Sequence, residues 1–268
     1  MKLKEKIGLI GVGNMGGAIL EGLLSKKIVT AGQIWICDKM TEKALEFKSR
    51  LRVNTAPSNA ELVRQADIIL LAVKPQDLAA TLGEMKSAFR PSQILISILA
   101  GTPLQKIRDA AAGTKLEMVR AMPNLGAKVG ESLTALTGTS PSALAAAETI
   151  FSGCGKTLRL EEKYFDLITA LSGSGPAYFF YLMELLAKEG RERGLSADEA
   201  KLVAVQTAVG SALLAASSTE DPAVLRERVT SKGGTTEAAL KELMKSWPAS
   251  VRDAIQAAHD RGKELSKG

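Results

Sequence analysis

A glycine-rich turn near the start of the chain constrains its fold more than any other feature. The turn follows a short apolar run at residues 7–10 and leads into an apolar stretch with helical spacing. Its glycines are spaced as GxGxxG, at Gly11, Gly13 and Gly16. In a strand–turn–helix of this kind the first glycine permits the tight turn, the second leaves room for a pyrophosphate, and the third lets helix and strand pack closely. The pattern predicts a dinucleotide-binding turn; a glycine-rich turn without a ligand is the alternative.

The next apolar run, residues 34–37, ends at an acidic residue, Asp38, which is followed by a basic one, Lys39. A carboxylate at this point of a dinucleotide fold bonds the free ribose 2′-hydroxyl of NADH, whereas a nearby cation accommodates the 2′-phosphate of NADPH. The two side chains therefore favour opposite cofactors. The sequence predicts NADPH or NADH and does not decide between them.

Charge and hydropathy exclude several classes of protein. The net charge is +6, but the basic residues are scattered among nearly as many acids, without runs or interleaved aromatic residues, which argues against nucleic-acid binding. No apolar stretch approaches the ~20 residues that span a bilayer, and the charged start of the chain leads into a strand rather than a signal sequence. We therefore expect a cytoplasmic protein with a small-molecule substrate, no nucleic-acid partner and no membrane association.

The cysteines give no sign of a disulfide or a metal site. Cys37 falls in a predicted strand and Cys154 in a Gly-Cys-Gly turn, and the chain has no CxxC motif and a single histidine. Metal sites and disulfide frameworks need closer sets of such residues. We expect no metal.

The first part of the chain alternates apolar runs with helical stretches, which is typical of a parallel sheet covered by crossover helices. The length of 268 residues allows one large domain or two smaller ones. We predict an α/β Rossmann-type N-terminal domain with a mostly parallel sheet over residues 1–160, as the NAD(P)-binding domain. The expected strands are residues 6–10, 33–37, 52–54, 67–73, 94–99, 116–121, 132–137 and 157–160.

From residue 161 onward the periodicity is helical and no further strand is expected, so residues 161–268 are predicted to form an all-α C-terminal domain. The segment 197–217 carries a face of small residues that would let another helix approach closely. An ordinary buried helix and an interface between subunits both explain that face. A helical domain of ~100 residues with few aromatic side chains gains much from a partner, and we expect at least a homodimer. The expected helices are residues 164–171, 176–193, 197–217, 222–229, 235–245 and 248–265.

A second glycine cluster precedes one of these helices. Gly233 and Gly234 allow close approach of the backbone, and hydroxyls at Ser231, Thr235 and Thr236 surround them. A helix start exposes unpaired N–H groups and the positive end of the helix dipole, which makes it suitable for an anion. The cluster is predicted to bind a substrate carboxylate, with simple capping of the helix as the alternative.

Five segments resemble one family over essentially the whole chain. They are IGLIGVGNMGGAI at the start, AVKP at residues 72–75, VRAMPN at 119–124, TALSGSGPAYFF at 169–180 and VTSKGGTTEAAL at 229–240. The family is pyrroline-5-carboxylate reductase. The resemblance implies NAD(P)H-dependent reduction of the C=N bond of (S)-1-pyrroline-5-carboxylate to L-proline, the last step of proline biosynthesis. It also implies that the helical domain binds substrate and forms dimers, which assemble into a larger ring.

The resemblance also implies roles for individual residues. Backbone amides of Gly233, Gly234, Thr235 and Thr236 would hold the substrate carboxylate, with help from Ser231. The Thr236 hydroxyl would contact the ring nitrogen, which makes Thr236 the expected catalytic residue. A protonated imine is already electrophilic, so no catalytic metal is implied. The expected cofactor-binding residues include Asp38 and Lys39 at the end of the second strand. The full set is Gly11, Gly13, Asn14, Met15, Gly16, Asp38, Lys39, Ala72, Val73, Lys74, Pro75 and Asn124.

The chain departs from the family pattern in two places. The family reads SPGGTT, and Lys232 replaces that proline, which loosens the loop and adds a positive charge beside the expected carboxylate site. The family also reads MPNTPA, whereas this chain has Leu125 and Gly126 after Asn124. Roles that the family gives to the Thr-Pro pair therefore do not carry over.

Two alternatives stay open from the sequence. One alternative is a reductase of another cyclic imine or of a β-hydroxyacid, since such enzymes share the two-domain build. A β-hydroxyacid reductase, however, needs a catalytic lysine on the first long helix of the second domain. That helix offers Lys188, which lies among charged residues typical of a solvated surface. A non-catalytic NAD(P)-binding sensor is the other alternative, and it would have no reason to keep the intact loop at residues 233–236.

Overall fold

The computed structural model describes residues 2–267 and divides into two compact units. One unit runs to Ser174 and takes in the C-terminal residues from Ala258 onward, and the other is Gly175–Ala257. The contacts thus divide the chain later than the expected boundary at residue 160. The reason is that Phe165 and Ala170, beyond the last strand, are completely buried in the first unit.

The first unit is built on one eight-stranded sheet with the order β3-β2-β1-β4-β5-β6-β7-β8. All neighbouring strands are parallel except β6 and β7, which are antiparallel, so the predicted mostly parallel sheet is confirmed. The chain reverses direction of winding between β1 and β4, and ligands of such sheets bind at that switch point. The strands are β1 Ile7–Ile10, β2 Ile34–Cys37, β3 Asn54–Thr55, β4 Ile68–Leu71, β5 Ile94–Ser97, β6 Glu117–Met122, β7 Ser132–Gly138 and β8 Gly155–Arg159.

Helices cover both faces of the sheet. Along β4, Ile68 and Leu70 belong to one buried cluster and Ile69 and Leu71 to another, because successive side chains of a strand point to opposite faces. This explains why the run is apolar throughout. The first cluster includes side chains of α1, α2 and α6, and the second includes those of α3, α4 and α5. These helices are α1 Asn14–Ser25, α2 Thr41–Leu51, α3 Asn59–Gln65, α4 Leu78–Met85, α5 Leu104–Ala110 and α6 Pro141–Phe151.

A short irregular segment comes after the sheet. It contains the 3₁₀ turn Glu162–Tyr164, the helix α7 Phe165–Ile168 and the π-helical turn Thr169–Gly173. The N–H of Ser174 donates to the carbonyl of Thr169 over 2.8 Å, which is the wide i→i+5 bond of a π turn. Such turns are rare and are frequent at functional sites.

The second unit holds helices only, as the sequence predicts. Ser196 caps α9 through a capping box with Glu199, and Gly194, at φ +100°, follows the end of α8. The predicted break between residues 245 and 248 is wrong, because α11 continues through Pro248. A proline inside a helix removes one backbone hydrogen bond and costs ~3 kcal/mol, yet the 33-residue helix runs through it. The helices are α8 Gly175–Glu192, α9 Ala197–Ser217, α10 Pro222–Arg228 and α11 Thr235–Lys267.

The small-residue face of α9 packs against α8. Ala200 and Ala204 are buried, and a Cβ placed on Gly190 of α8 would lie 3.3 Å from the Cβ of Ala200. The larger apolar side chains of α9 stay exposed, among them Leu202 and Leu213. By length and composition alone α9 would suffice to cross a membrane, so the expectation that no stretch approaches that length is wrong for these 21 residues.

Candidate functional site

The glycine turn between β1 and α1 has two positions that only glycine fits and one that faces open space. Gly11 has φ +92°, and a Cβ there would lie 2.6 Å from the Ala72 carbonyl oxygen. A Cβ on Gly16 would lie 2.1 Å from the Gly11 carbonyl oxygen. A Cβ on Gly13, by contrast, would meet nothing within 4 Å. Gly13 is also the N-cap of α1, and no side chain caps this helix. The turn therefore fits a phosphate group at the positive end of α1.

A cavity of about 450 Å³ opens beside this turn. Its lining includes Gly13 and Asn14 from the turn, Lys43 from α2 and Lys128 from the segment between β6 and β7. The two lysines bring positive charge to this lining, and Glu21 and Glu46 bring an equal number of negative charges. The lysines were missed from the sequence because neither belongs to a motif; only the fold brings them to the turn.

Asp38 is bound to the turn itself. One carboxylate oxygen accepts from the N–H of Val12 over 2.8 Å, and the other accepts from the N–H of Met40 over 2.9 Å. Its negative charge is thus held at the carboxyl end of β2. Lys39 is largely exposed, with its Nζ 3.6 Å from a carboxylate oxygen of Asp77. Asp38 and Lys39, which are expected to favour NADH and NADPH respectively, therefore both lie at the carboxyl end of β2.

The carboxyl end of β4 forms the other side of the switch point. The N–H of Ala72 donates to the Ile10 carbonyl over 2.8 Å, which continues the pairing of β4 with β1. Val73 comes next, then Lys74, whose extended backbone leads into the 3₁₀ turn Pro75–Asp77. The predicted segment at residues 72–75 therefore lies beside Gly11 and faces the same edge of the sheet.

Asn124 lies just after the carboxyl end of β6 and is held at three points. Its N–H donates to Ser132 Oγ, its Oδ1 accepts from the N–H of Gly126, and its Nδ2 donates to Ser172 Oγ, each over 3.0 Å. A Cβ on Gly126 would lie 2.7 Å from the Glu131 carbonyl oxygen. The departure from the family pattern at Gly126 thus fits this tight local packing. Ser172 was not singled out from the sequence, although the TALSGSGPAYFF segment contains it.

The loop before α11 is a tight turn. Gly233 has φ +73°, and the N–H of Gly234 donates to the Ser231 carbonyl over 3.0 Å. The N–H of Gly233 donates to a carboxylate oxygen of Glu237 over 2.8 Å. Two of the N–H groups expected to bind the substrate carboxylate are therefore engaged within the loop.

The donors that stay available are the N–H groups of Thr235 and Thr236, in the first turn of α11. Neither has a hydrogen-bond partner within residues 2–267. The Thr235 side chain is exposed and that of Thr236 is half-buried. Both hydroxyls lie beside these N–H groups, so the start of α11 can hold a small anion.

Other chemistry-bearing groups lie outside these sites. Among the described residues no group of three or more His, Cys, Asp and Glu side chains could hold a metal ion. Cys37 and Cys154 are buried free thiols, and burial raises the pKa of Cys154 to about 11. Lys188 lies on the surface of α8, where its Nζ is 3.8 Å from a carboxylate oxygen of Glu192.

A parallel sheet with a glycine turn at its switch point, followed by a helical unit, defines a two-domain oxidoreductase of the NAD(P)-binding class. A family model described as pyrroline-5-carboxylate reductase dimerisation matches residues 162–265, and one described as NADP oxidoreductase, coenzyme F420-dependent, matches residues 6–101. The chain belongs to the pyrroline-5-carboxylate reductase family. The resemblance of its motifs to that family is confirmed.

Relatives match along nearly the whole chain. A pyrroline-5-carboxylate reductase of Pseudomonas aeruginosa is 38% identical over 267 residues, which cover 98% of this chain and 97% of that protein. One of Methanosarcina acetivorans is 36% identical over 268 residues, 98% of each. The structure of a pyrroline-5-carboxylate reductase from Coxiella burnetii superposes with a TM-score of 0.93 at 33% identity, covering 99% of this chain and all of that one. A crystal structure of the Plasmodium falciparum pyrroline carboxylate reductase with NADP bound gives a TM-score of 0.86 at 30% identity and covers 99% of this chain and all of that one.

Proposed function

We infer that this protein is a pyrroline-5-carboxylate reductase, which uses NAD(P)H to reduce the C=N bond of (S)-1-pyrroline-5-carboxylate and forms L-proline. One observation carries the inference: curated reductases of bacteria, archaea and plants are 34–38% identical over 98% of the chain. The reduced nicotinamide, when bound, supplies the hydride that adds to the imine carbon. The ring nitrogen keeps the proton that made this carbon electrophilic, so the product is the amine.

The reaction asks the protein mainly for orientation. A protonated imine accepts hydride without a metal or a covalent nucleophile, and holding two molecules in a reactive geometry can contribute ~7 to 11 kcal/mol to lowering the barrier. We propose that the residues around the glycine turn hold one molecule and those at the start of α11 hold the other.

For the cofactor, the N–H groups at the start of α1 would bind the phosphates, with Gly13 leaving the space they need. The rest of this turn consists of Gly11, Asn14, Met15 and Gly16. Asp38 or Lys39 would bind the ribose near the carboxyl end of β2. The open space at Gly13 and the N-terminus of α1, which no side chain caps, support this assignment. The nicotinamide half would then extend toward the other strand ends, with Ala72, Val73, Lys74, Pro75 and Asn124 beside it.

For the substrate, the N–H groups of Thr235 and Thr236 would bind the carboxylate, and the Thr236 hydroxyl would contact the ring nitrogen. Ser231 and Gly234 shape the turn, because the N–H of Gly234 donates to the Ser231 carbonyl. The N–H of Gly233 would join only when it leaves the carboxylate of Glu237. The absence of partners for the two threonine N–H groups within residues 2–267 supports this assignment.

The chain forms at least a homodimer, and we propose that dimers assemble further into a ring and that the enzyme is cytoplasmic.

We also propose residues 1–160 as the cofactor domain and 161–268 as the domain for substrate binding and dimerisation. The family models that match residues 6–101 and 162–265 support this division. The exposed apolar side chains of α9 support an extensive contact between subunits.

The first experiment measures the oxidation of NADH and of NADPH by absorbance, with pyrroline-5-carboxylate as substrate. We expect turnover that depends on the substrate. The ratio of the two rates shows whether Asp38 or Lys39 governs the choice of cofactor. Cofactor binding without turnover would instead favour a different imine reductase or a non-catalytic sensor.

A further inference from the structure

A short chain of hydrogen bonds joins the carboxyl end of β6 to the π-helical turn Thr169–Gly173. The N–H of Gly126 donates to Asn124 Oδ1, and Asn124 Nδ2 donates to Ser172 Oγ, each over 3.0 Å. A backbone N–H can only donate, so the amide oxygen of Asn124 must face Gly126 and its nitrogen must face Ser172. These bonds fix the direction in which the Asn124 amide is turned.

Two hydrogens are left over by this arrangement. Ser172 Oγ accepts from Asn124, so its own proton remains available, and Asn124 Nδ2 carries a second hydrogen. Neither hydrogen has an acceptor within the part of the chain that the structure describes. Both side chains are half-buried, and a ligand that displaced water from them would have to accept these hydrogens. The two hydrogens on Nδ2 diverge by about 120°, so an oxygen that accepts from the Ser172 hydroxyl meets the second amide hydrogen at a bent angle and binds mainly to Ser172.

The local packing brings the two donors together. A Cβ on Gly173 would lie 2.6 Å from Met122 Cε, so glycine lets the π turn approach the end of β6. The wide i→i+5 bond from Ser174 to Thr169 turns this segment out of regular α-helix just where Ser172 meets Asn124. A π turn at this place is consistent with a functional role.

The position of the pair indicates which acceptor it meets. Asn124 lies after β6, on the side of β1 that carries β4 and β5, whereas Asp38 lies after β2 on the opposite side. A dinucleotide that crosses the switch point with its adenosine over β2 extends its nicotinamide toward β4, β5 and β6. Both donors are neutral, and a neutral carbonyl oxygen fits them better than a carboxylate, which is bound most strongly by cations.

We propose that Ser172 and Asn124 donate hydrogen bonds to the carboxamide oxygen of the nicotinamide and so fix the orientation of its ring. The proposal rests on the proposed function, because it concerns the cofactor of that reaction. Ser172 is the donor that contacts the cofactor through its hydroxyl, and Asn124 both contacts the cofactor and directs the Ser172 proton toward it. A fixed ring presents one face for hydride transfer.

The test measures binding without turnover, by calorimetric titration of the purified protein with the oxidised cofactor in the absence of substrate. The cofactor is whichever of NAD⁺ and NADP⁺ binds more tightly, compared with its thionicotinamide analogue, in which sulfur replaces the carboxamide oxygen. Sulfur is a weak acceptor. We expect Ser172→Ala to weaken binding of the natural cofactor by about 3- to 10-fold and to change binding of the analogue by less than about 2-fold.

Ser174→Ala is the matched control, because it removes a hydroxyl two residues further along that has no hydrogen-bond partner within the described residues. It should bind both cofactors as the unaltered protein does. If Ser172→Ala fails to fold, as judged by thermal unfolding, Asn124→Asp replaces it. Its carboxylate accepts the Ser172 proton, so the same selective loss is expected.

Equal weakening of both cofactors by Ser172→Ala, or no weakening of either, would overturn the proposal. The proposed function fails in a different way. Selective weakening by Ser172→Ala together with no reduction of pyrroline-5-carboxylate would support this cofactor contact and contradict the reductase. Normal turnover with equal effects on both cofactors would support the reductase and remove the contact.

Discussion

The backbone requires glycine at some positions of the two glycine clusters and not at others. Gly11 and Gly16 are needed by the backbone itself, since a Cβ at either position would overlap a carbonyl oxygen. Gly13 is not needed by the fold, since its Cβ would meet open space. At the second cluster, Gly233 adopts φ +73°, which glycine tolerates best, and lends its N–H to Glu237. Function is therefore testable at positions where the fold makes no demand.

Gly13→Val should abolish cofactor binding and leave the fold intact. The added side chain would occupy the space that the phosphates need, and its Cβ would meet no described residue within 4 Å apart from its neighbours along the chain. Fluorescence titration with NADPH and thermal unfolding measure the two effects. Gly16→Val is the contrasting variant: its Cβ would lie 2.1 Å from the Gly11 carbonyl oxygen, so it should lower stability as well. Normal NADPH affinity in Gly13→Val would contradict the placement of the phosphates.

Thr236→Ala should lower kcat/KM by about 10- to 100-fold, the scale of a hydrogen bond lost to a charged partner. The proposed contact runs from its hydroxyl to the ring nitrogen of the substrate. Thr236→Ser keeps the hydroxyl and should retain most of the activity. Steady-state kinetics with pyrroline-5-carboxylate decide the matter, and unchanged kinetics in the alanine variant would remove Thr236 from the site.

Glu237→Gln should lower KM for pyrroline-5-carboxylate by about 2- to 10-fold, because like charges repel and the Glu237 carboxylate occupies the N–H of Gly233. The amide is a weaker acceptor and carries no charge, so the substrate carboxylate competes for that N–H more easily. Glu242→Gln, on the same helix and paired with Lys245, is the control and should leave KM unchanged. A higher KM in Glu237→Gln would show that Glu237 supports the loop instead of competing with substrate.

At the scale of elements, an ion pair between a buried arginine and a half-buried glutamate joins the sheet to the segment Glu162–Ile168. Arg120 of β6 is buried, with its Nη1 3.1 Å from Glu162 Oε1 and its guanidinium 4.7 Å from the ring centre of Phe165. Burial lowers the pKa of the Arg120 guanidinium, and its hydrogen bond to Glu162 opposes that shift. Glu162 Oε1 also accepts from the N–H of Leu104, at the start of α5, over 2.7 Å. One carboxylate thus joins β6, α5 and the segment leading to α7, which explains why that segment remains with the first unit.

Ser196→Ala should destabilise α9 by about 1 kcal/mol, the usual cost of losing an N-cap. The Ser196 hydroxyl accepts from the N–H of Glu199 and donates to its carboxylate. Hydrogen bonds from the Ser196 side chain and backbone lower the pKa of Glu199 from 4.5. This contribution to stability is present above pH 4.5 and is lost as the pH falls through the lowered value.

Urea unfolding followed by circular dichroism, at neutral pH and near pH 3, measures the stability lost in Ser196→Ala and how that loss depends on pH. The difference in stability between Ser196→Ala and the unaltered protein should shrink at the lower pH. Ser211→Ala lies in the middle of the same helix and removes a hydroxyl bonded to the Thr207 carbonyl. It should not destabilise the helix, because alanine is the better helix former. A difference that stays constant with pH would exclude the Glu199 contribution.

At the scale of the whole molecule, the exposed apolar surface of the helical unit calls for a partner. Leu202 and Leu213 of α9 are 66% and 63% exposed, and four more large apolar side chains of the same helix are exposed as well: Val203, Val205, Val209 and Leu214. Several exposed apolar side chains on one element mark an interaction surface, whereas single ones do not. A membrane and a second subunit could both cover such a helix. The match of residues 162–265 to the dimerisation family favours the subunit.

Light scattering should find no monomer at micromolar concentration in the absence of detergent. Leu213→Glu should shift the protein toward smaller or aggregated species, because it would bury a charge in the contact. Leu45→Glu, at an exposed position of α2 in the first unit, is the control and should leave the size unchanged. A monomeric unaltered protein, or one that needs detergent to stay in solution, would contradict a dimer through α9.

Much of the fold was predictable from the sequence because its signals are local. Eight strands were expected and eight form the sheet, since apolar runs and turns mark them without reference to distant residues. The glycine turn was recognisable for the same reason: its geometry depends on consecutive residues. The break expected before Pro248 failed because a proline signal is local, whereas the continuity of α11 is decided over 33 residues.

The sequence by itself determined the order of elements, the glycine turn between the first strand and the first helix, and the family. Only the tertiary structure decided that Asn124 and Ser172, 48 positions apart, share a hydrogen bond, and that Lys43 and Lys128 line the cavity at the glycine turn. It also decided that the N–H of Gly233 is taken by Glu237. Such pairings depend on how strands and helices pack, so they cannot be predicted from the spacing of residues along the chain.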